Sequence, residues 1–339
     1  MLIPLSIVLL IVFALLTFAV YYMLNKIPKG IKKSPITATP GITKSGAEGL
    51  SRSKCLPVYF YDKTAEYFVP IHMPLGDNTE NPDIKATRII DKLISGPPST
   101  SGLQSVMPAG TKLNSVRIEG DLAIVDLNSA VESYGGGSSW EKGIVESLLL
   151  SITELPGIKR VQILIDGKTK EYLPEGTPID KPLERNIGPN ADQPTPEGKP
   201  SGYMYYLDSS RSHIIPIMWT WDGAADDPLA KLKALYSNPT PYPESLASPA
   251  PKDMQILKCE IFNDSLTLVL NHPDFANVFN KLNAQRFLEA TYLTLYAVKP
   301  FTKADIRVGS GDNPIPLWSY APFSEYEKME IPPLCYNGV

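Results

Sequence analysis

The strongest structural signal in this sequence lies in residues 103–128, which read LQSVMPAGTKLNSVRIEGDLAIVDLN. The pattern recurs 143 positions later in residues 246–271, which read LASPAPKDMQILKCEIFNDSLTLVLN, with seven of 26 residues identical. In each stretch two apolar runs of period two flank a turn pair, Gly120-Asp121 or Asn263-Asp264. This arrangement is typical of a β-hairpin. The chain is therefore predicted to contain the same hairpin twice.

The similarity extends on both sides of the hairpin. Downstream, at the same offset, Glu146 aligns with Glu289 and Leu150 with Leu293 inside a predicted helix. Upstream, residues 58–62 (VYFYD) resemble residues 204–208 (MYYLD) at an offset of 146. Because two separate blocks and a helix recur in the same order, the sequence predicts a duplicated module.

The first module is predicted from local patterns. Strands are expected at 57–61 and 66–71, followed by a helix over about 83–95, the hairpin strands 112–119 and 122–127, a second helix over about 140–155, and strands near 159–165 and 168–172. The second helix has an apolar stripe and is ended by Pro156-Gly157. The predicted fold class is α+β: two tandem similar modules, each with a mixed or antiparallel sheet packed by helices, after an N-terminal transmembrane helix.

The N-terminal segment is predicted to be a membrane anchor. Leu2 to Leu24 is a run of 23 residues without a charged side chain, long enough to cross a bilayer as a helix at about 1.5 Å per residue. A cleavable signal peptide would have a Lys or Arg before the apolar run, and none is present here. An uncleaved anchor is therefore favoured. The basic flank that follows favours cytoplasmic modules by the positive-inside rule, although long domains can be translocated despite such a flank.

Composition sets the remaining boundaries. The predicted parts are a transmembrane anchor (1–25), a basic flexible stalk (26–54), a first module (55–173), a Pro-rich linker (174–202), a second module (203–322) and a C-terminal tail (323–339). Seven prolines in the linker are typical of a stiff, extended connection.

Charge and cysteine content exclude some functions. The stalk carries seven basic residues and one acid, so a total net charge of -4 leaves -10 on residues 55–339. A body this acidic lacks the basic stripe that nucleic-acid binding requires. The three cysteines, Cys55, Cys259 and Cys335, have no metal-ligand spacing. A Cys55–Cys335 bridge stays open as an alternative to free thiols, and Cys259 is predicted to be an inert buried thiol.

No catalytic constellation is found. His72, His213 and His272 share no ligand spacing, and neither a metal nor a cofactor is predicted. Asp126 and Asp166 invite comparison with the paired carboxylates of glycoside hydrolases. However, Asp126 is expected to be a solvated sheet residue and Asp166 a turn residue. The second copy has no matching acids, so the chain is not expected to be an enzyme.

Trp219 and Trp221 are the candidate contact residues. Two tryptophans two positions apart lie on one face of a predicted strand. They either cap the core or stack on glycan rings or a protein partner.

The first module resembles the GerM (sporulation and germination) domain family. The resemblance rests on residues 84–93 and 103–127, the helix 141–155 and the VQILIDG motif at 161–167, and it covers about 57–173. The second copy, about 203–322, resembles the family less closely, since the motif VDL becomes Leu268-Val-Leu270. The resemblance implies a Gram-positive source, extracytoplasmic modules and an assembly between two membranes during spore formation. Family members are typically lipoproteins, whereas this chain has no lipobox.

Two functions are therefore weighed. The first is a membrane-anchored envelope scaffold that binds envelope or membrane proteins, with self-association as a further expectation. The alternative is a binding module for cell-wall glycan or peptide through Trp219 and Trp221.

Overall fold

The computed structural model describes residues 55–338, apart from 75–79, 186–187, 192–196, 238–239, 241, 243, 276, 279–282, 310–312 and 334. The predicted anchor Leu2–Leu24 and the stalk lie outside the described residues. Within the described residues, no helix has the length and apolar character needed to span a membrane. From Cys55 onward the chain belongs to one compact unit.

The first module contains two sheets and two helices. Strands β1 (Cys55–Tyr61) and β2 (Phe68–Pro74) form an antiparallel hairpin. Helix α1 (Pro82–Ser95) follows, then the hairpin β3 (Leu113–Glu119) and β4 (Leu122–Leu127), a short 3-10 helix (Ser129–Glu132), helix α2 (Gly137–Ile152), and strands β5 (Arg160–Ile165) and β6 (Leu183–Glu184). The sheet order is β3-β4-β5-β6, in which β4 and β5 run parallel. The predicted hairpin is confirmed, with Gly120 at positive φ in its two-residue turn.

The second module repeats this order. It consists of β7 (Ser201–Asp208), β8 (Ile214–Thr220), α3 (Pro228–Leu235), β9 (Leu246–Ala247), β10 (Gln255–Phe262), β11 (Ser265–Asn271), α4 (Ala284–Tyr296), β12 (Lys303–Val308), β13 (Ile315–Pro316), a 3-10 helix (Leu317–Ser319) and α5 (Ala321–Ser324). Its main sheet, β10-β11-β12-β13, has the same order and the same parallel pair, β11 with β12. The predicted α+β class with mixed sheets is confirmed.

Individual hydrogen bonds recur in the two modules. The carbonyl oxygen of Asp121 accepts from the amide of Arg160, and that of Asp264 accepts from the amide of Lys303, 143 positions later in each case. The side chains form matching ion pairs, Arg160–Asp121 at 2.6 Å and Lys303–Asp264 at 3.3 Å. The duplication therefore extends from sequence pattern to individual atoms.

The helix of each module holds its upstream hairpin in the same way. The Tyr59 amide donates to Ser151 Oγ of α2, and the Tyr205 amide donates to Thr294 Oγ1 of α4, both at 3.0 Å. Ser151 and Thr294 are fully buried. Because β1 and β7 each present a backbone donor to a helix, a hydroxyl at this position satisfies it where an alkyl side chain would not.

One predicted strand is wrong. Residues 168–172 form no strand; the described chain there has only isolated bridges, Ile165 with Lys168 and Tyr172 with Pro178. The strand that pairs with β5 is β6, further along the chain. The prediction failed because Gly167 turns the chain, and the segment that follows returns to the core through Leu173 and Ile179, which are buried.

Parts of the predicted linker 174–202 pack against the modules. Ile179 is fully buried in the first core, β6 pairs with β5, and Asn190 is only 8% exposed. The second module begins with β7 at Ser201, two residues before the predicted start at residue 203.

The two modules share core residues. The first core consists of first-module residues, whereas the second also takes in Tyr67 and Val69 from the hairpin of the first. Tyr67 is 4% exposed and Val69 is fully buried. The β1–β2 hairpin thus contributes to both cores.

Candidate functional site

The two candidate tryptophans differ in their surroundings. Trp221 is 5% exposed and belongs to the core of the second module, where its indole N–H donates to the carbonyl oxygen of Ala224 at 3.0 Å. Trp219, at the end of β8, is half-buried against the same core. An indole that is buried on both faces cannot stack on a sugar ring, so of the two only Trp219 has a surface available for a partner.

Trp219 is part of an aromatic row that joins the modules. Its ring meets that of Tyr242 edge-on, with centroids 5.4 Å apart. Tyr242 in turn lies 6.3 Å from Tyr67 of the first module. Next to this row, Ser245 Oγ donates to Glu66 Oε2 at 2.7 Å. A partner that contacts Trp219 would therefore lie beside both modules.

Lys231 is a buried cation that sequence reasoning missed. It is 2% exposed, and its Nζ lies 5.0 Å from the centre of the Trp221 ring. Burial lowers the pKa of Lys231 to about 8. Its helical position gave no sign of this, because a lysine in an otherwise apolar helix is ordinarily solvated. Its contact with Trp221 stabilises the cation through the ring face.

The modules meet along β2 and β8, a contact that we call the seam. Asn190 lies in the seam at one end. Its Oδ1 accepts from the Phe68 amide at 2.8 Å, and its Nδ2 donates to the carbonyl oxygens of Phe68 and Pro216, both at 2.9 Å. One side chain thereby satisfies backbone groups of both strands.

Asn337 occupies the corresponding place at the other end of the seam. Its Oδ1 accepts from the Ile214 amide at 2.8 Å, and its Nδ2 donates to the carbonyl oxygens of Ile214 at 2.7 Å and Pro70 at 3.1 Å. Phe68 and Ile214 are 146 positions apart, as are Pro70 and Pro216. The two asparagines therefore bind equivalent backbone groups in opposite modules, which is the arrangement of an approximate two-fold axis.

Both asparagines have positive φ, 53° for Asn190 and 54° for Asn337. Asparagine tolerates this backbone region better than other non-glycine residues. The sequence signal for the pair was weak, because Asn190 fell in a predicted linker and Asn337 in a predicted tail. Their spacing of 147 also differs by one from the offset of the flanking strands.

A disulfide bond joins Cys55 at the start of β1 to Cys335 near Asn337. Of the two alternatives left open by the sequence, the structure shows the bridge; Cys259 is a buried free thiol, as predicted. Beside the bond, the ring of His72 packs 4.4 Å from that of Tyr336. Burial lowers the pKa of His72 to about 4, against the opposing effect of a hydrogen bond with the Tyr336 backbone.

The acids considered for catalysis take part in turns. Asp126 Oδ1 accepts from the Gly167 amide at 2.8 Å, and Asp166 adopts the positive φ of a turn residue. The three histidines lie apart: His72 at the disulfide, His213 beside Asp208 at 3.2 Å, and His272 bonded to Lys252 at 2.8 Å. Over the described residues, no group of three or more His, Cys, Asp or Glu side chains could hold a metal ion.

A buried carboxylate instead organises the start of α2. Glu141 is fully buried and accepts from the backbone amides of Glu175 at 2.6 Å and Thr177 at 2.7 Å, and from the Tyr134 hydroxyl. Burial alone would raise the pKa of Glu141, but these donors together hold it below its ordinary value. An ionised carboxylate with this many donors fixes the loop 173–177 against the helix.

Comparison with known proteins identifies the first module. A family model described as Germane, sporulation and spore germination, matches residues 57–171. The spore germination protein GerM of Bacillus subtilis (strain 168) is 27% identical over 173 residues, which is 46% of this chain and 46% of that protein. The chain thus matches about half the length of this curated relative.

Solved structures extend the likeness to both modules. The tandem GerMN domains of the sporulation protein GerM from Bacillus subtilis match with a TM-score of 0.51 and 24% identity, over 77% of this chain and 96% of that one. The first GerMN domain of the same protein matches with a TM-score of 0.33 and 29% identity, over 39% of this chain and 97% of that one. The fold is that of tandem GerMN domains, and residues 57–171 match the family described by sporulation and spore germination.

Proposed function

We propose that this chain is a non-catalytic, membrane-anchored interaction protein of the cell envelope that supports an assembly used in sporulation or germination. Leu2–Leu24 would form the anchor, residues 26–54 the stalk, and the two modules the part that binds other envelope proteins. The main support is the matched domain at residues 57–171, whose family is described by sporulation and spore germination.

The use made of acidic side chains supports a non-catalytic role. Asp126 Oδ1 accepts from the Gly167 amide in a turn, and buried Glu141 accepts from two backbone amides and the Tyr134 hydroxyl. A general acid or base must have a lone pair or a proton available to a substrate. Both carboxylates instead accept hydrogen bonds that fix local structure, from the Gly167 amide and from the loop 173–177.

The disulfide supports modules on the outer side of the membrane. Structural disulfides persist in oxidising compartments and are rare in the cytosol. The Cys55–Cys335 bond therefore favours the location that the family resemblance implies over the one that the basic flank favours.

The role can be tested by genetic complementation in the source organism. Deletion of the gene is expected to reduce heat-resistant spore counts or germination. The full chain should restore them, and so should the double variant Asp126→Asn plus Asp166→Asn, because a scaffold does not need those carboxylates. Normal sporulation and germination in the deletion strain would contradict the proposed process. A folded double variant that does not complement would contradict the non-catalytic role.

Location can be tested separately on intact cells. In a Cys259→Ala background, a membrane-impermeant reductant followed by an impermeant PEG-maleimide should add two labels to the full chain. The matched control omits the reductant and should give none, since both remaining cysteines are bonded. If labelling required cell lysis, the modules would be cytoplasmic.

The aromatic row favours the second candidate function, binding of cell-wall glycan or peptide. Trp219 and Tyr242 form adjoining ring surfaces beside the junction of the modules. The test is a pull-down of the full chain on purified cell wall. Trp219→Ala should abolish retention, whereas Trp318→Ala, which removes another half-buried indole of the same module, should not. Equal retention of both variants would remove Trp219 from this function.

A further inference from the structure

The duplication supplies an internal comparison for the seam. In the first module the chain that leads to Asn190 is held by Arg185, which forms a 2.6 Å ion pair with Glu154 just after α2. At the position equivalent to Glu154, the second module has Ala297, which has no charge to offer. The segment that carries Asn337 therefore lacks this ion pair, although it makes the same kind of contact with the seam.

A covalent link takes the place of the missing ion pair. Cys335, two residues before Asn337, is bonded to Cys55 on β1. Tyr336, which lies between Cys335 and Asn337 in the chain, packs its ring against those of His72 and Tyr205. The ring centroids of Tyr336 and Tyr205 are 5.9 Å apart. Cys55 and His72 belong to the first module and Tyr205 to the second, so residues 335–337 contact both modules at one end of the seam.

We propose that the Cys55–Cys335 bond is a redox latch that holds residues 335–337 in the seam and so locks this end of the module contact. The latch closes when the two thiols form the S–S bond. The two electrons and two protons pass to an oxidant of the disulfide class, whose S–S bond breaks to give two thiols. Reduction by a dithiol reverses the step.

Opening the latch exposes defined groups. Without Asn337, the Ile214 amide and the carbonyl oxygens of Ile214 and Pro70 lose their side-chain partner. The opposite end keeps Asn190 and its Arg185–Glu154 ion pair, so only one end of the seam loosens. The backbone groups freed on β2 and β8 then become available to water or to an added strand.

The two amides bound by the asparagines provide the test. Hydrogen exchange of the full chain in detergent micelles, read by mass spectrometry with fragmentation to single residues, compares Ile214 (bound by Asn337) with Phe68 (bound by Asn190). In the reduced protein, exchange at Ile214 should accelerate by about tenfold or more, while exchange at Phe68 stays nearly constant. Re-oxidation with glutathione disulfide should restore the slow rate.

Variants separate the latch from other effects. Cys335→Ser and Cys55→Ser remove the same bond and should accelerate exchange at Ile214 to the same degree, whereas Cys259→Ala, which removes the buried free thiol, should leave both amides unchanged. Three results would overturn the proposal: an unchanged Ile214 rate in protein whose thiols are verified as free, an effect of one cysteine variant without the other, or equal acceleration at Ile214 and Phe68, which would mean that the whole body loosens.

Discussion

His72 shows how much one side chain depends on its surroundings. A histidine is ordinarily half-protonated near pH 6.5, but burial lowers the pKa of His72 to about 4. Its Nδ1 is buried, and no partner for it is found within the part of the chain that the structure describes. The imidazole is therefore held neutral beside the disulfide, and it resists protonation for as long as the protein is folded.

This environment predicts a pH dependence of stability. The unfolded chain binds a proton at His72 near pH 6.5 and the folded chain only near pH 4, so the free energy of unfolding should fall as the pH drops through that interval. Once the pH is below about 4, His72 should have lowered the free energy of unfolding by about 3 kcal/mol, and above about pH 7 it should have no effect on that free energy. Denaturant titrations at several pH values should show a flatter profile for His72→Phe. Asn114→Ala, a change of an exposed side chain that does not titrate, should keep the wild-type slope.

The seam asparagines predict matching losses of stability. Asn190→Ala and Asn337→Ala each remove a side chain that makes three hydrogen bonds and leave buried backbone groups unpaired. Each change should lower the free energy of unfolding by about 1–3 kcal/mol. Chemical denaturation measures this, with the exposed Asn114→Ala as the control. A value near zero for both would mean that water replaces the amide without cost.

At the scale of elements, the approach of α2 to β1 depends on Gly143. A Cβ at this position would lie 2.7 Å from Cζ of Tyr61, far inside the normal contact distance. The Tyr61 ring is itself fixed by stacking on Phe68 at 4.8 Å. The helix can therefore lie this close to the hairpin only where it lacks a side chain.

Gly143→Ala should consequently destabilise the protein, even though alanine is normally the better helix former. The expected loss in the free energy of unfolding is about 1–3 kcal/mol, the usual range for overpacking. Gly135→Ala, at a position where the added Cβ meets open space, is the matched control and should be nearly neutral. If Gly143→Ala proved as stable as the wild type, the helix would have to shift away from β1 at no cost.

The predicted elements succeeded where the pattern was local. The hairpins β3–β4 and β10–β11 and the helices α1 and α2 follow from side-chain alternation, turn pairs and helix ends, all of which a short stretch of chain determines. The failure at 168–172 has a tertiary cause. The second neighbour of β5 in the sheet is β6. The stretch of chain that connects β5 to β6 contributes Leu173 and Ile179 to the core instead of forming a strand next to β5.

At the scale of the whole molecule, the shared core predicts unequal behaviour of the two halves. Residues 55–190 retain the first core, whereas residues 201–338 alone would lose Tyr67 and Val69 from theirs. Each lost apolar side chain removes about 1.5–3 kcal/mol of burial energy. The first fragment is expected to unfold cooperatively in circular dichroism, and the second to be less stable and to bind a hydrophobic dye. Equal stability of the two fragments would contradict this asymmetry.

The sequence alone determined the duplicated unit and its α+β class, because periodicity and turn chemistry act over a few neighbouring residues. The family resemblance rested on its motifs, such as residues 161–167. The sequence also singled out Trp219 and Trp221 but could not tell them apart; in the structure Trp221 is buried with Lys231 of α3 over its ring, and Trp219 lies beside Tyr242. Only the tertiary structure decided that Cys55 pairs with Cys335 and that Asn190 and Asn337 meet the same seam. These contacts join residues that are far apart in the chain, and their geometry exists only once both modules have folded against each other.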